Sequence, residues 1–152
     1  MNKYITIKKN ETVKQVKQTL EHALAPMDNY YNFFPDDVKS GLISFKKYDT
    51  DIKTAYFICA SKVINTVLTA ESHLSILPSL MLEADKLEDT DTVLFCDQLL
   101  ETFGQLRKAL NTFTSQSENA LLSASPSYSG LLTILLEFKV RFTEFLNYFN
   151  SL

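Results

Sequence analysis

Residues 42–77, "LISFKKYDTDIKTAYFICASKVINTVLTAESHLSIL", decide the fold of this chain. Apolar side chains recur there every three or four residues, which is the spacing of one face of an α-helix. The pattern predicts a helix over residues 42–77, kinked or ended at about Leu77 because Pro78 lacks a backbone N–H and clashes with the preceding turn. The apolar positions are Phe45, Tyr48, Ile52, Ala55, Cys59, Val63, Val67, Ala70, Leu74, Leu77 and Met81.

A second helix is predicted over residues 91–122, after the acidic stretch "EADKLEDTDT". Thr90 or Asp91 is the expected N-cap, because short oxygen-bearing side chains accept hydrogen bonds from the first backbone N–H groups of a helix. The pattern ends in "SASPSYSG", residues 123–130, which is the clearest linker in the chain. The apolar positions of this helix are Val93, Cys96, Leu99, Leu100, Phe103, Leu106, Leu110, Phe113, Ser117, Ala120 and Leu121.

The final helix, predicted over residues 131–151, carries a ladder of apolar side chains spaced alternately by four and three residues. Such heptad spacing is typical of a seam along which helices pack. Phenylalanine packs poorly in a two-stranded coiled coil, so a bundle of several helices is favoured, while a dimer seam at the C-terminus remains an alternative. The predicted helix-packing or dimer interface comprises Leu131, Leu135, Phe138, Phe142, Phe145 and Phe149, joined by Phe103, Leu106, Leu110 and Phe113; Leu152 ends the ladder.

The N-terminal third gives a weaker pattern. Residues 3–7 alternate and are compatible with an extended segment, and a helix is predicted over residues 11–25 with Asn10 as its N-cap and Pro26 as its end. Residues 26–41 mix turn formers with aromatic side chains and are predicted to form an ordered loop or a single helical turn packed on the bundle. The predicted core face is Val13, Val16, Leu20 and Ala23, and the clustered aromatics are Tyr30, Tyr31, Phe33 and Phe34.

Length and composition fix the class of fold. A chain of 152 residues is the size of one domain with one core, and its three glycines and four prolines favour a few long elements over many short strands. We therefore expect a single all-α domain spanning residues 1–152, an up-and-down bundle of four to five long amphipathic helices. The longest apolar run is too short to span a bilayer, which predicts a cytoplasmic or peripheral membrane protein.

Positive charge is concentrated near the N-terminus, in Lys3, Lys8, Lys9, Lys14 and Lys17. Lysines on an amphipathic helix can contact an anionic membrane surface, each contributing up to about 1 kcal/mol. A solvated helix of the bundle is the alternative interpretation. No basic stripe backed by aromatic side chains is present, so a nucleic-acid partner is not expected.

Negative charge is concentrated in Glu83, Asp85, Glu88, Asp89 and Asp91. The run lacks the central glycine and the spacing of an EF-hand loop, which argues against a calcium site. A solvated turn between helices explains it most simply, and contact with a basic partner is the functional alternative.

No catalytic or cofactor motif is recognisable. His22 and His73 have no partner at metal-binding spacing, and the glycines are too few for a phosphate-binding loop. Cys59 and Cys96 lie in apolar helical patterns, as expected of buried thiols in a reducing compartment. The sequence therefore predicts a protein that is not an enzyme and needs no cofactor or metal.

Two stretches together resemble the first two helices of BAR-type domains. They are "ISFKKYDTDIKTAYFICASKVINTVLTAESHLSIL" and, after the acidic break, "DTVLFCDQLLETFGQLRKALNTFTSQSENALL", which cover residues 43–122. The shared features are an aromatic side chain near the start of the first helix, "AES" near its end, and the "LETFGQLRKAL" core of the second. The resemblance implies an antiparallel homodimer that senses or bends membranes in trafficking and binds small GTPases.

These observations lead to three functional expectations. The first is a non-enzymatic, dimerising helical scaffold with a peripheral role in membrane trafficking or signalling. The second is a compact monomeric adaptor that binds a partner helix in a groove. The third is a helical enzyme that uses a divalent metal held by carboxylates, drawn from Glu83, Asp85, Asp89, Asp91 and Glu101.

Overall fold

A computed structural model describes residues 3–33, 49–123 and 128–152. Within these ranges 92% of the residues are helical and no strand occurs, so the predicted all-α class is confirmed. The helices are α1 (Lys3–Glu21), α2 (Leu24–Asn32), α3 (Asp49–Ser72), α4 (Leu77–Lys86), α5 (Thr90–Leu121) and α6 (Tyr128–Asn150), with a 3₁₀ turn at His73–Ile76 between α3 and α4.

The helices form four rods around one hydrophobic core. The first rod is α1 with α2, the second is α3 with α4, and α5 and α6 are the third and fourth. Each rod packs against the next, and the first also packs against α6, so the rods close into an up-and-down bundle. At one end, which we call the tyrosine end, Tyr30 meets Tyr56 and Tyr128. At the other end Lys9 of α1 lies over the ring of Phe95.

At the start of the chain, the predictions were wrong in two places. Residues 3–7 are helical rather than extended, and Asn10 lies exposed inside α1 rather than capping it. The helix begins early because Ile5 already occupies a core position, 1% exposed, in register with Val16 and Leu20. Val13 is partly buried against the core, and its neighbour Thr12 is buried fully. The Thr12 hydroxyl donates to the carbonyl oxygen of Lys8 at 2.8 Å, so its polar atom is satisfied.

Pro26 does not end a helix. Instead α1 stops at Glu21, and Pro26 lies in the first turn of α2, where no intrahelical partner exists for a backbone N–H and proline is therefore tolerated. The predicted loop over residues 26–41 is thus helical through Asn32. Met27 and Tyr30 face the core as the packed-aromatic prediction requires, whereas Tyr31 and Phe33 are exposed; residues 34–41 lie outside the described ranges.

Two outcomes were predicted for the long central helix near Leu77, a kink or an end, and the structure shows an interrupted helix that continues. Residues 42–48, with Phe45 and Tyr48, lie outside the described ranges. The rod does not end at Leu77; a 3₁₀ turn at 73–76 interrupts it and α4 continues to Lys86. Pro78 explains the interruption, because it has no N–H to donate and its ring would clash with the carbonyl of Leu74 in a continuous α-helix.

Asp89, rather than Thr90 or Asp91, caps α5. Its carboxylate accepts hydrogen bonds from the Thr92 backbone N–H at 3.2 Å and from the Thr92 hydroxyl at 2.7 Å. These bonds to the charged form lower the pKa of Asp89. At the other end of the bundle, α6 begins at Tyr128, inside the predicted linker, because the Tyr128 ring is a core side chain that is 2% exposed.

Candidate functional site

The phenylalanine ladder of α6 lies inside the bundle of a single chain. Phe138 stacks on Phe113 with ring centroids 4.9 Å apart, and Phe103 meets Phe145 edge to face at 5.4 Å. Leu152 is half exposed, but the ten predicted interface residues are all buried: Leu131, Leu135, Phe138, Phe142, Phe145, Phe149, Phe103, Leu106, Leu110 and Phe113. A homodimer could use these side chains only if the bundle opened.

The N-terminal lysines are divided between the outer surface and contacts within the chain. Lys8 pairs with Glu11 at 3.5 Å, and the ammonium group of Lys9 lies 4.6 Å from the centroid of the Phe95 ring. Lys3 and Lys14 are exposed and Lys17 is half-buried. Contact between these lysines and an anionic membrane remains a prediction.

The acidic turn is mostly solvated. Glu83, Asp85, Glu88 and Asp91 are exposed, while Asp89 serves as the cap of α5. In the described part of the chain, no group of three or more His, Cys, Asp or Glu side chains is arranged to hold a metal ion. Contact with a basic partner remains a prediction.

Both thiols are buried and unbonded, as their apolar sequence context predicted. Burial raises the pKa of the Cys59 thiol to about 12, and burial also raises the pKa of Cys96. Since the thiolate is the nucleophile and these groups stay protonated near neutral pH, neither cysteine is prepared for covalent chemistry.

A groove lies between α5 and α6. Its volume is about 450 Å³, and a smaller cavity of about 70 Å³ extends it toward the tyrosine end. The two share the lining residues Ala109 and Arg141, so they adjoin along the helix pair. Leu106 and Ala109 form a narrow apolar floor, being 3% and 8% exposed.

The walls of this groove follow helical heptads on both sides. On α5 the lining residues from Gln98 to Gln116 are spaced alternately by four and three residues. On α6 those from Ile134 to Tyr148 are spaced alternately by three and four. The wall side chains are mostly uncharged and polar on α5, whereas α6 alternates in charge. The α5 wall is Gln98, Thr102, Gln105, Thr112 and Gln116; the α6 wall is Ile134, Glu137, Arg141, Glu144 and Tyr148.

Among the described residues, the charged groups of the α6 wall have no ion-pair partner. Glu137, Arg141 and Glu144 are exposed and form no ion pair with any other described residue. By contrast, Lys139 on the other flank of α6 pairs with Asp28 at 3.0 Å. The groove therefore has an apolar floor, a neutral polar wall and a wall with free charges.

Three tyrosines meet at the tyrosine end of the core. Tyr30 stacks on Tyr128 with centroids 5.5 Å apart and meets the edge of Tyr56 at 5.4 Å. The Tyr56 hydroxyl and the Ser117 hydroxyl share a buried hydrogen bond of 2.6 Å. Among the described residues, the Tyr30 hydroxyl is the one buried side-chain nitrogen or oxygen without a hydrogen-bond partner.

The two buried hydroxyl groups predict opposite effects of the same substitution. Tyr30→Phe removes an unsatisfied polar atom and is expected to raise the free energy of unfolding by about 1–2 kcal/mol. Tyr56→Phe leaves the Ser117 oxygen buried without its partner and should lower the free energy of unfolding by about 1–3 kcal/mol. Urea denaturation of both variants beside the parent chain measures the difference. Destabilisation of equal size in both would contradict the hydrogen-bond assignment.

The adaptor expectation included a groove for a partner helix, but the position of the groove was not predicted from the sequence. Its α5 wall consists of glutamines and threonines, which apolar periodicity ignores, although their heptad spacing from Gln98 to Gln116 was a usable signal. The packing role of Tyr30 was expected from its aromatic cluster, but its unpartnered hydroxyl depends on contacts between distant parts of the chain.

No protein-family model matches this chain, and neither the curated proteins nor the solved structures contain a match. The likeness to BAR-type domains therefore remains a resemblance of residues 43–122. Within the described residues, every helix is too short or too polar to cross a membrane.

Proposed function

We propose that this chain is a non-enzymatic interaction protein that binds an amphipathic helix of a partner protein in the groove between α5 and α6. The observation that supports the proposal is the pair of adjoining cavities with heptad-spaced walls on two neighbouring helices. Two helices with such walls offer a third helix the ridges and grooves that helix packing requires.

The dimensions of the groove suit a helix. The lining positions run from Gln98 to Gln116, a rise of about 27 Å along α5 at 1.5 Å per residue. A partner of about five turns would cover that length. An amphipathic helix would place its apolar stripe over the narrow floor at Leu106 and Ala109, but both side chains are almost fully buried, so most of its contact would be with the groove walls.

The charged side chains of the α6 wall determine which charges the facing edge of a partner helix should carry. Glu137, Arg141 and Glu144 present negative, positive and negative charge in sequence at heptad spacing. A partner helix with basic, acidic and basic side chains at the facing positions is complementary, in the way that edge charges choose partners in coiled coils. We therefore propose an amphipathic helix with that charge order as the ligand.

Two designed peptides of about three heptads test this proposal. Both carry the same apolar stripe, but one places Lys, Glu and Lys opposite the α6 wall and the other places Glu, Lys and Glu there. The first should bind roughly tenfold more tightly, because each of three exposed charge pairs contributes up to about 1 kcal/mol. Titrations followed by the backbone amide resonances of Thr102, Gln105 and Ala109 report the affinity and the location together.

Two charge reversals serve as variant and control. Arg141→Glu should reduce the preference between the peptides several-fold, whereas Lys108→Glu on the outer face of α5 should leave it unchanged. Equal affinity of the two peptides, or a preference that Arg141→Glu does not alter, would refute the proposal. Self-association of the chain that Arg141→Glu abolishes would identify the partner helix as part of a second copy, as the predicted homodimer requires.

A further inference from the structure

Neighbouring helices α3 and α5 each carry a stripe of outward-facing side chains. Both stripes repeat every four and three residues, which keeps their members on one side of a helix. Phe57 is 61% exposed and Leu122, the residue after α5, is 85% exposed, so the bundle leaves apolar side chains of both stripes uncovered. The α3 stripe is Phe57, Ser61, Ile64 and Leu68, and the α5 stripe is Gly104, Lys108, Asn111, Ser115, Glu118 and Leu122.

The two stripes belong to the flanks by which α3 and α5 adjoin. The other flank of α5 borders the groove toward α6, and the other flank of α3, with Ala55 and Lys62, borders a small cavity toward α2. Between α3 and α5, Arg107 pairs with Glu71 at 3.5 Å. We call the surface formed by both stripes the α3–α5 face.

The outer side of α3 is almost free of charge. Between residues 54 and 69 the helix contains a single charged side chain, Lys62, which lies on the flank toward α2. Thr66 and Thr69 donate their hydroxyl groups to carbonyl oxygens of their own helix at 2.7 and 2.8 Å. A helix that is apolar on its outer as well as its inner side is typical of one that is covered on both sides.

Gly104 lies near the middle of α5, where glycine destabilises a helix relative to alanine. The bundle itself does not require glycine there, because a Cβ built at this position would meet no atom within 4 Å. Glycine permits another molecule to approach the backbone closely, so its place in an outer stripe fits a contact from outside the chain.

Each stripe has the same spacing in both chain directions. The α3 stripe is symmetrical about the midpoint between Lys62 and Val63, and the α5 stripe is symmetrical about Phe113. A surface that packs on its own copy about a two-fold axis has to be self-complementary in this way.

The two centres of symmetry lie at the same level of the bundle. On one side of that level Tyr56 is hydrogen-bonded to Ser117, and on the other side Glu71 is paired with Arg107. Interpolation between these two contacts places the midpoint of the α3 stripe beside residue 113 of α5. One two-fold axis can therefore serve both helices.

We propose that two copies of this chain associate through the α3–α5 face about that axis, with each stripe antiparallel to its copy. Apolar side chains then meet one another, a leucine covers the glycine, and opposite charges face each other. The pairs between copies are Phe57 with Leu68, Ser61 with Ile64, Gly104 with Leu122, Asn111 with Ser115, and Lys108 with Glu118.

The charged pair can form only between copies. Lys108 and Glu118 are ten residues apart, which is about 15 Å along α5, and neither forms an ion pair with another described residue. The dimer keeps each bundle closed, with its phenylalanine ladder buried, and leaves the α5–α6 groove of each copy accessible on the other flank of α5.

Sedimentation equilibrium of the full chain between about 1 μM and about 1 mM tests the association, and a monomer–dimer equilibrium is expected within this range. Phe57→Glu should weaken the dimer at least about tenfold, because it places a carboxylate against Leu68 of the second copy. Val140→Glu is the matched control, since Val140 is 60% exposed on α6, and it should leave the dimer unchanged. Circular dichroism checks that both variants keep their helices.

Reversal of the charged pair tests the register. Lys108→Glu and Glu118→Lys should each weaken the dimer several-fold by creating two like-charge pairs, and the double reversal should restore it. Arg141→Glu should not affect this dimer, so failure of the groove proposal can be distinguished from failure of this one. A chain that stays monomeric up to about 1 mM, a dimer that Phe57→Glu does not weaken, or a double reversal as weak as the single ones would overturn the proposal.

Discussion

Replacing Phe142 with alanine is expected to lower the free energy of unfolding by about 3–5 kcal/mol. The Phe142 side chain is 0% exposed and lies at the centre of the α6 ladder, with its ring centroid 5.8 Å from that of Phe138. The substitution removes the transfer free energy of a whole ring and leaves a cavity that the neighbouring rods fill only in part. Urea denaturation followed by circular dichroism gives the value.

Val140→Ala is the matched control, because Val140 belongs to the same helix and is 60% exposed. It should change the stability by less than about 0.5 kcal/mol. A ladder that packs within one chain predicts that both results are independent of protein concentration. A loss of stability for Phe142→Ala that grows on dilution would instead assign the ladder to a dimer, since folding would then be linked to association.

The ladder also shows why part of the fold was predictable. Heptad spacing over residues 131–149 is a local property, and a helix with that stripe has to bury it, whatever its neighbours are. The register of α6 could therefore be assigned correctly without knowledge of the other rods. Periodicity does not say whether the covering helices belong to the same chain, so the sequence pattern is compatible with a homodimer as well.

Helix boundaries were less predictable, and the prolines show the reason. Proline excludes a helix only on its N-terminal side, so Pro26 and Pro78 are each compatible with a helix that begins there as well as with one that ends there. Whether a helix begins or ends at a proline depends on whether the residues after it can be buried against the core. Met27 and Tyr30 after Pro26, and Leu80 and Ala84 after Pro78, are buried by other rods, and the chain is helical after both prolines.

Both candidate sites depend on contacts that a single sequence does not contain. The groove exists because α5 lies beside α6 with polar flanks, and periodicity identifies the buried face of a helix without identifying the neighbour beyond each flank. The buried pair of Tyr56 and Ser117 joins residues 61 positions apart. Tyr30 is left unpaired by the same tertiary arrangement, which no local pattern encodes.

The tyrosine end also predicts a strong loss of stability in alkali, beginning near pH 9. Burial raises the pKa of Cys59 from 9.0 to about 12. Burial likewise raises the pKa of Tyr56 from 10.0 to about 12, against a smaller opposing effect of its hydrogen bond to Ser117. Tyr30 is raised further, chiefly by burial. Each group therefore keeps its proton in the folded chain at pH values where the unfolded chain has lost it.

Proton linkage determines whether the free energy of unfolding rises or falls with pH. Between the unfolded and folded pKa values the native state binds more protons, so the free energy of unfolding falls with pH. The stabilising contribution of these groups is complete below pH 9 and is lost as the pH rises toward 12. Each group contributes a slope of up to about 1.4 kcal/mol per pH unit, so three such groups would remove the stability of an ordinary domain within about two to four units.

Urea denaturation at a series of pH values from about 8 to about 11 measures this loss of stability below the raised pKa values of about 12. The tyrosinate absorbance is recorded in parallel and shows when the tyrosines ionise. Tyr30 and Tyr56 should ionise only when helical circular dichroism is lost, because their ionisation requires water to enter the core. Cys59→Ala removes one of the titrating groups and should make the decline shallower by about 1.4 kcal/mol per pH unit above pH 9. A stability that stays constant across this range, or tyrosines that all ionise while the helices remain intact, would mean that the tyrosine end is open to water.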